Sequence, residues 1–459
     1  MTFDTLPLRV ELLTNLQRLN YSSMTPIQSA ALPKILAAQD LIAQAPTGSG
    51  KTAAFGLGLL QKLQVENFYI QSLVLCPTRE LADQVANEIR RLAKGLHNVK
   101  VLTLSGGQPF GPQLKSLAQG AHILVGTPGR ISDHLSRGSL QLNRLTTLVL
   151  DEADRMLDMG FQDTLDAIVE QLPQERQTLL FSATYPEMIA SLAARFLSNP
   201  AEVKVEAAPA AQKIRQHFYR LPSERQRLPA LQQLLLELAP EASIVFCTTR
   251  KETQEVADAL CQAGFSAQAL HGDMEQKDRD LTLIQFTNKS INLLVATDVA
   301  ARGLDIAALD AVFNYQLSLD PEVHVHRVGR TGRAGEAGEA FTLFTDAEGF
   351  RLDALAAYLQ QPITPEDLPT ATTAHLRPQP APMQTLLIDG GKKDKLRPGD
   401  ILGALTAGEQ LTGDDLGKIQ ITARRSYVAV KRSQAKAALQ QLTEGKLKGK
   451  NFRARLLKK

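Results

Sequence analysis

The sequence predicts an α/β protein with two parallel-sheet domains in tandem, followed by a small α+β domain. Three observations predict this. Short apolar runs of strand length alternate with helix-patterned segments through most of the chain. The alternation comes as two successive series. After a proline-rich stretch, the last segment follows the order β-α-β-β-α-β of a ferredoxin-like unit. At 459 residues the chain is too long for one ordinary domain and has room for about three of roughly 150 residues each.

In the first series, residues 1–206, the runs LIAQA (41–45), SLVLCP (72–77), HILVGTP (122–128), TLVLDEAD (147–154) and TLLFSAT (178–184) each read as a buried strand ending in a polar loop. Helix-patterned segments such as ELADQVANEIRRLAKGL (80–96) lie between them. The second series, residues 212–362, repeats the pattern with SIVFCTTR (243–250), QALHGD (268–273), NLLVATD (292–298), AVFNYQ (311–316) and EAFTLF (339–344). A short Ala/Pro-containing join near 207–211 separates the two. Residues 363–382, rich in Pro and Thr, read as an extended linker. In the tail, 383–459, strands are expected at Thr385–Ile388, Leu416–Thr422, Ser426–Val430 and Phe452–Leu456, and helices at Pro398–Leu405 and Gln434–Leu442.

Composition excludes several classes. Hydrophobic residues are 44% and charged residues 22%, which is globular rather than disordered. The apolar runs are too short to span a bilayer, and the start, MTFDTLPLRVEL, has no basic segment leading into an apolar one. A cytoplasmic location is expected. Three cysteines without CxxC spacing point to neither a disulfide framework nor a zinc site. Charge is unevenly spread: the tail from Met383 carries 17 Lys+Arg against 7 Asp+Glu, and the rest carries 34 against 41. A basic tail on a mildly acidic body predicts an appended binder of polyanions, nucleic acid first.

The strongest local signal is Ala45-Pro46-Thr47-Gly48-Ser49-Gly50-Lys51-Thr52, between a strand and a helix-patterned segment. Glycines there let backbone N–H groups turn onto a phosphate chain at a helix N-terminus. Lys51 is placed to neutralise β- and γ-phosphates, and the Thr52 hydroxyl to hold Mg²⁺. The first glycine of the general pattern is Ala45 here. A hundred residues on, a strand ends in Asp151-Glu152-Ala153-Asp154. Asp151 suits a nucleotide-bound Mg²⁺, largely through water, and Glu152 suits the general base that polarises the attacking water. Either segment alone has a bland reading, a chance Gly-Lys-Thr turn or an acidic helix start; together they point to ATP. In the second series, His326-Arg327-Val328-Gly329-Arg330-Thr331-Gly332-Arg333 sets three arginines at short spacing with no phosphate loop of its own. They read either as a salt-bridged surface cluster or as arginines supplied to a γ-phosphate.

These motifs, in this order, resemble those of the DEAD-box ATP-dependent RNA helicases across both α/β domains. The resemblance implies two RecA-like domains, an RNA-stimulated ATPase that unwinds short duplexes, ATP and Mg²⁺ as cofactors, and RNA as partner, with neither membrane nor DNA expected. It implies that Gln28, in Thr25-Pro26-Ile27-Gln28, reads the adenine edge, that Phe3 stacks on the base and that Tyr21 also lies at the cofactor; the family usually has glycine where Asn20 stands. Pro77, Thr78, Arg79, Gly106, Gly107, Thr127, Pro128, Gly129 and Arg130 are implied to face RNA backbone, as are Thr297 and Arg302. Asp154, Ser182 and Thr184 are implied to couple hydrolysis to strand separation, Asp305 to touch the ribose, and Arg330 and Arg333 to reach the γ-phosphate. The same motifs would also serve an ATP-gated RNA clamp, which differs only in whether duplex release follows ATP. In the tail, LIDGGKK (387–393), RPGDILGAL (397–405) and Gly417-Lys418-Ile419 resemble the bacterial members aimed at large-subunit ribosomal RNA. This implies an RRM-like domain, binding of a ribosomal RNA hairpin and of pre-ribosomal particles, and a role in large-subunit assembly. Lys392, Lys393, Arg424, Arg425 and Tyr427 are its candidate RNA contacts; the first strand offers no aromatic partner for Tyr427, so ordinary two-ring stacking is not expected.

Overall fold

The computed structural model describes all residues except Thr47, Pro186, 206–213, 302–308, 333–337, 370–374, Glu409 and 458–459. The join expected near 207–211 therefore lies outside the described residues, as do the sites expected at Thr47, Arg302, Asp305 and Arg333. One compact unit runs from Met1 to Ala208, and a second takes in nearly all of the remaining chain.

The first unit is built on seven parallel strands: β1 (Leu41–Gln44), β2 (Ser72–Leu75), β3 (Val101–Leu104), β4 (Ile123–Gly126), β5 (Thr147–Asp151), β6 (Gln177–Ser182) and β7 (Ala201–Lys204), in the order β3-β4-β2-β5-β6-β1-β7. Successive side chains of a strand enter opposite faces, and here both faces are buried. Leu41, Ala43, Val74, Val125, Val149, Leu179 and Phe181 fall in one core, while Ile42, Leu73, Leu75, Leu124, Leu148, Leu150 and Leu180 fall in the other. This is why the strands read as unbroken apolar runs.

In the second unit, β8 (Ile214–Leu221), β9 (Ser243–Cys247), β10 (Ala267–Leu270), β11 (Leu293–Thr297), β12 (Ala311–Asn314) and β13 (Gly338–Thr345) form a parallel sheet in the order β10-β11-β9-β12-β13-β8. The tail forms a separate antiparallel sheet of β14 (Met383–Ile388), β15 (Leu416–Ile421), β16 (Ser426–Lys431) and β17 (Ala454–Leu456), ordered β15-β16-β14-β17. Helices Pro398–Leu405 and Ala435–Glu444 cover one face of it, over Leu386, Ile388, Val428 and Val430. The predicted α/β class and the ferredoxin-like tail are thus both present. Three strands that the sequence reading missed, β3, β7 and β8, all lie at sheet edges.

Two features of the second unit tie the residues after 362 to the parallel-sheet domain. The linker keeps to the parallel-sheet domain: Glu366 bridges to Tyr219 on β8, with Arg220 N donating to Glu366 O at 3.2 Å. Leu368 packs on that domain's core, and Ala381 N donates to Ser266 Oγ at 3.3 Å. The outer face of the small sheet is also covered. Leu387 and Tyr427, paired across β14 and β16, pack against Ile284 and Leu281 of helix Gln276–Thr287. Thr385 Oγ1 meets Ser290 Oγ at 2.6 Å and accepts from Asn288 Nδ2 at 3.1 Å.

Replacing Tyr427 by Ala should uncover Leu387 and Ile284 together. Amide exchange should then speed up both in β16 and in helix Gln276–Thr287. Unchanged protection of that helix would show that it does not lean on the small sheet.

Candidate nucleotide site and RNA-facing loops

In a parallel sheet the strands all end at one edge, and ligands collect there. In the first unit the loops after β1, β5 and β6 carry the phosphate-loop, DEAD and Ser-Ala-Thr residues. The loops after the neighbouring strands β2, β4 and β3 carry Pro77–Arg79, Thr127–Arg130 and Gly106–Gly107.

The phosphate loop is tied at both ends. Ala45 N donates to Ser182 O, at the end of β6, at 3.0 Å. Gly48 and Gly50 take φ of 82° and 95°, a region costly for any other residue, and Gly50 opens helix Lys51–Lys62. A Cβ on Gly50 would come within 2.5 Å of Gln28 Nε2. Gln28 is buried, donates from Nε2 to Gly50 O at 3.2 Å, and accepts from Thr25 N at 2.9 Å in the capping box of helix Pro26–Leu36. The residue expected to read adenine is thereby fixed to the phosphate loop itself. Asn20, where the family has glycine, sits at φ 59°, which asparagine tolerates better than most residues. Phe3 is buried and meets Tyr21 edge-on at 6.0 Å, while the Tyr21 hydroxyl donates to Glu88 Oε1 at 2.9 Å and accepts from Arg91 Nη2 at 2.8 Å.

Lys51 is buried and its Nζ donates to Ala45 O at 2.6 Å. Burial pulls its pKa down, opposed by the charges of Asp151, Glu152 and Asp154. Asp151, at the end of β5, is pushed up to about 7 by burial and by Glu152 beside it. A cation bound next to Asp151 would restore its charge, and the buried Ser49 Oγ has no partner among the described residues. The donor set fits a phosphate chain with a hard divalent cation at Thr52 and Asp151.

Glu152 takes a left-handed backbone, φ 55° and ψ 54°, and opens helix Ala153–Asp158. Asp154 Oδ2 accepts three bonds of 3.1 Å, from Ala183 N, Thr184 N and Thr184 Oγ1. The DEAD and Ser-Ala-Thr loops are therefore joined through Asp154 and Thr184. Ser182 takes part through its carbonyl, and its buried hydroxyl has no partner among the described residues.

On the neighbouring strands, Thr78 caps helix Arg79–Leu92, accepting from Leu81 N at 3.3 Å. Gly107, at φ 69°, lies against the Arg79 guanidinium: a Cβ there would be 2.1 Å from Nη1. Thr127 and Pro128 begin helix Pro128–Ser136. Arg130 Nη1 donates to Gln108 O at 3.1 Å and to Gln113 Oε1 at 2.7 Å. Gln113 also donates to Ser105 O at 3.1 Å, and its Oε1 lies 3.0 Å from His134 Nε2. The His134 ring stacks on Phe110 at 4.1 Å. Gln113 and His134, which the sequence reading passed over, thus link the Gly106–Gly107 loop to the helix that carries Arg130. Their signal was a polar residue on an otherwise helical segment, which usually means a solvated face.

In the second unit, Thr297 ends β11 and Arg330 is buried. The neighbouring Arg327 is the anchor of that cluster. It is 2% exposed and pairs with both Asp298 oxygens, at 2.6 and 2.7 Å; its Nη1 also donates to Gln316 O at 3.1 Å. In the small domain, Lys392 N and Lys393 N donate to Thr422 O and Ala423 O at 2.9 and 3.0 Å. This brings the exposed Lys392, Lys393 and Arg424 to one end of the sheet. Arg425 is half committed, 3.7 Å from Asp389. Tyr427, beside the Arg425 side chain, is 5% exposed beneath Ile284, so its ring is not open to a base in this arrangement.

The chain matches the DEAD/DEAH box helicase model at residues 25–192, the helicase conserved C-terminal domain at 226–335 and the DbpA RNA binding domain at 385–456. It belongs to the DEAD-box ATP-dependent RNA helicases. Within them it is DbpA-like: it is 53% identical to the ATP-dependent RNA helicase DbpA of Escherichia coli over 446 residues, 97% of each chain. It is 45% identical to the DEAD-box ATP-dependent RNA helicase CshA of Geobacillus kaustophilus over 347 residues, 76% of this chain and 74% of the relative. Saccharomyces cerevisiae Dbp5 bound to RNA and ADP BeF3 superposes with a TM-score of 0.72 at 30% identity, covering 79% of this chain and 95% of that one. Among the described residues, no helix is long and apolar enough to cross a membrane.

Gly50→Ala should strain the backbone and drive Gln28 off its carbonyl. A fluorescent ADP analogue is then expected to bind about tenfold more weakly or worse, roughly 1.4 kcal/mol. Unchanged affinity in an equilibrium titration would contradict the coupling of Gln28 to the loop.

Proposed function

We propose that this helicase unwinds short ribosomal RNA duplexes during assembly of the large (50S) ribosomal subunit, directed to a 23S-type hairpin and pre-ribosomal particles by residues 383–459. Residues 1–206 and 212–362 are its two helicase domains and 363–382 its linker. The observation that carries this reading is one polypeptide joining a DEAD-box core to a DbpA-type RNA binding domain whose sequence has a net charge of +10. Such a surplus supplies affinity for RNA backbone that falls steeply with salt. The exposed cluster of Lys392, Lys393 and Arg424 is the favoured hairpin contact, ahead of Tyr427. We place the protein in the cytoplasm with its RNA.

In this reading the phosphate loop, with Pro46, Thr47, Gly48 and Ser49, holds the phosphates of ATP, and Lys51 neutralises part of their charge. Thr52 and Asp151 would hold Mg²⁺, which would supply positive charge to the phosphate chain. Glu152 takes the proton of the attacking water, and Arg330 and Arg333 stabilise charge on the γ-phosphate. Asp154 and Thr184 pass the state of the nucleotide to the loop after β6. Arg79 and Arg130, with the amides of Gly106 and Gly107, grip phosphates without reading sequence.

The test is steady-state ATP turnover, at fixed salt, without RNA, with mixed transfer RNA and with large-subunit ribosomal RNA. Strong stimulation by ribosomal RNA alone is expected, and removal of 383–459 should abolish that preference while leaving weak, unselective stimulation. Equal stimulation by every RNA would overturn the ribosomal targeting and leave the helicase assignment intact.

A further inference from the structure

Arg155 follows the DEAD residues directly, and none of the assigned roles uses it. Its side chain is 5% exposed and that of Glu152 7%, and Arg155 Nη1 donates to Glu152 Oε2 at 2.5 Å. The pairing is local. Helical side chains lean toward the N-terminus, so the third residue of helix Ala153–Asp158 reaches back over the residue that opens it. The Arg155 backbone N–H also donates to Asp154 Oδ1 at 3.0 Å, while the other Asp154 oxygen takes Ala183 and Thr184.

The placement has a physical consequence for Glu152. A left-handed residue at a strand–helix junction has no helical turn before it to restrict its side chain. A buried carboxylate without a partner would also be costly. The Arg155 pair meets both needs at one oxygen, and among the described residues no donor is set on the other. We propose that Arg155 is a positioning residue for ATP hydrolysis, holding Oε2 of Glu152 so that Oε1 is presented to the attacking water. The inference rests on Glu152 being the base, as argued above.

The experiment measures ATP turnover of the full-length protein at saturating RNA over a range of ATP concentrations, together with equilibrium binding of a fluorescent ADP analogue. The variants are Arg155→Met, Arg155→Lys, Glu152→Gln and the Arg155→Met/Glu152→Gln pair. Arg155→Met should lower kcat by about tenfold to a hundredfold, with KM for ATP and analogue affinity unchanged within about twofold. Arg155→Lys, which keeps the charge, should recover much of the loss. In the Glu152→Gln background, followed by single turnover, Arg155→Met should cost nothing further, because the group it positions is already gone. Should Arg155→Met not fold, Arg155→Lys carries the test: a reduced kcat at unchanged analogue affinity is expected, and a matched fall of both overturns the inference. A full additional loss in the Glu152→Gln background, or unchanged kcat in Arg155→Met, also overturns it. An inactive Glu152→Gln beside an active Arg155→Met sinks this inference alone, whereas normal turnover by Glu152→Gln removes the base assignment and this inference with it.

Discussion

Five ionisable side chains, Lys51, Asp151, Glu152, Asp154 and Arg155, are buried at one edge of the first sheet, and the chemistry of the domain depends on their mutual compensation. Burial of a lone charge is prohibitive, whereas a set of opposite charges with satisfied hydrogen bonds is tolerated. Asp154 is satisfied by the loop after β6 and Glu152 by Arg155. Lys51 and Asp151 are the pair left under tension, the one with its pKa lowered and the other with its pKa raised to about 7. A phosphate chain beside Lys51 and a cation beside Asp151 would each favour the charge that burial opposes. A phosphate chain with a bound cation would supply both signs at once.

The sheet explains why these groups lie together. With both faces packed by apolar side chains, polar residues of the strands can emerge only at the ends. Parallel pairing then brings the ends of β1, β5 and β6 next to those of β2, β4 and β3. The loops proposed above to bind nucleotide and those proposed to face RNA become neighbours along one edge. Asp154 and Gln113 are where the edge is braced, each spanning two loops whose positions must agree.

Much of this was legible in the sequence because function and strand end coincide. A continuous apolar run followed by Gly-Lys-Thr or Asp-Glu-Ala-Asp announces both the strand and the site. What was not legible follows from the same physics. β3, β7 and β8 are edge strands with partly exposed residues, so their runs are short or mixed. Arg155, Gln113 and His134 act through other side chains across turns and helices, and their letters alone resemble those of any charged or polar helix face. Arg327 looked like one of three equivalent arginines. Its bidentate pairing with Asp298 is what marks it as an anchor within its own domain.

The small domain carries the point furthest. The absence of a second aromatic on β14 argued against ordinary base stacking, and the structure supplies the complementary reason. Thr385, Leu387 and Tyr427 on the outer face are neutral or apolar, and a sheet displaying them to water would expose a hydrophobic surface. Helix Gln276–Thr287 and the residues after it cover that surface instead, with Ile284 on Leu387 and Tyr427 and with Asn288 and Ser290 on Thr385. The buried polar contacts set the register of the two partners, since a shifted sheet would leave Thr385, Asn288 and Ser290 unpaired. Charge and apolar surface therefore divide the work. The packed face fixes where the small domain sits on the second unit, and the lysines and arginine gathered at the turn ends remain exposed for a polyanion. On the function proposed above, RNA recognition by this tail rests on loop cations held by the sheet rather than on the face of the sheet itself.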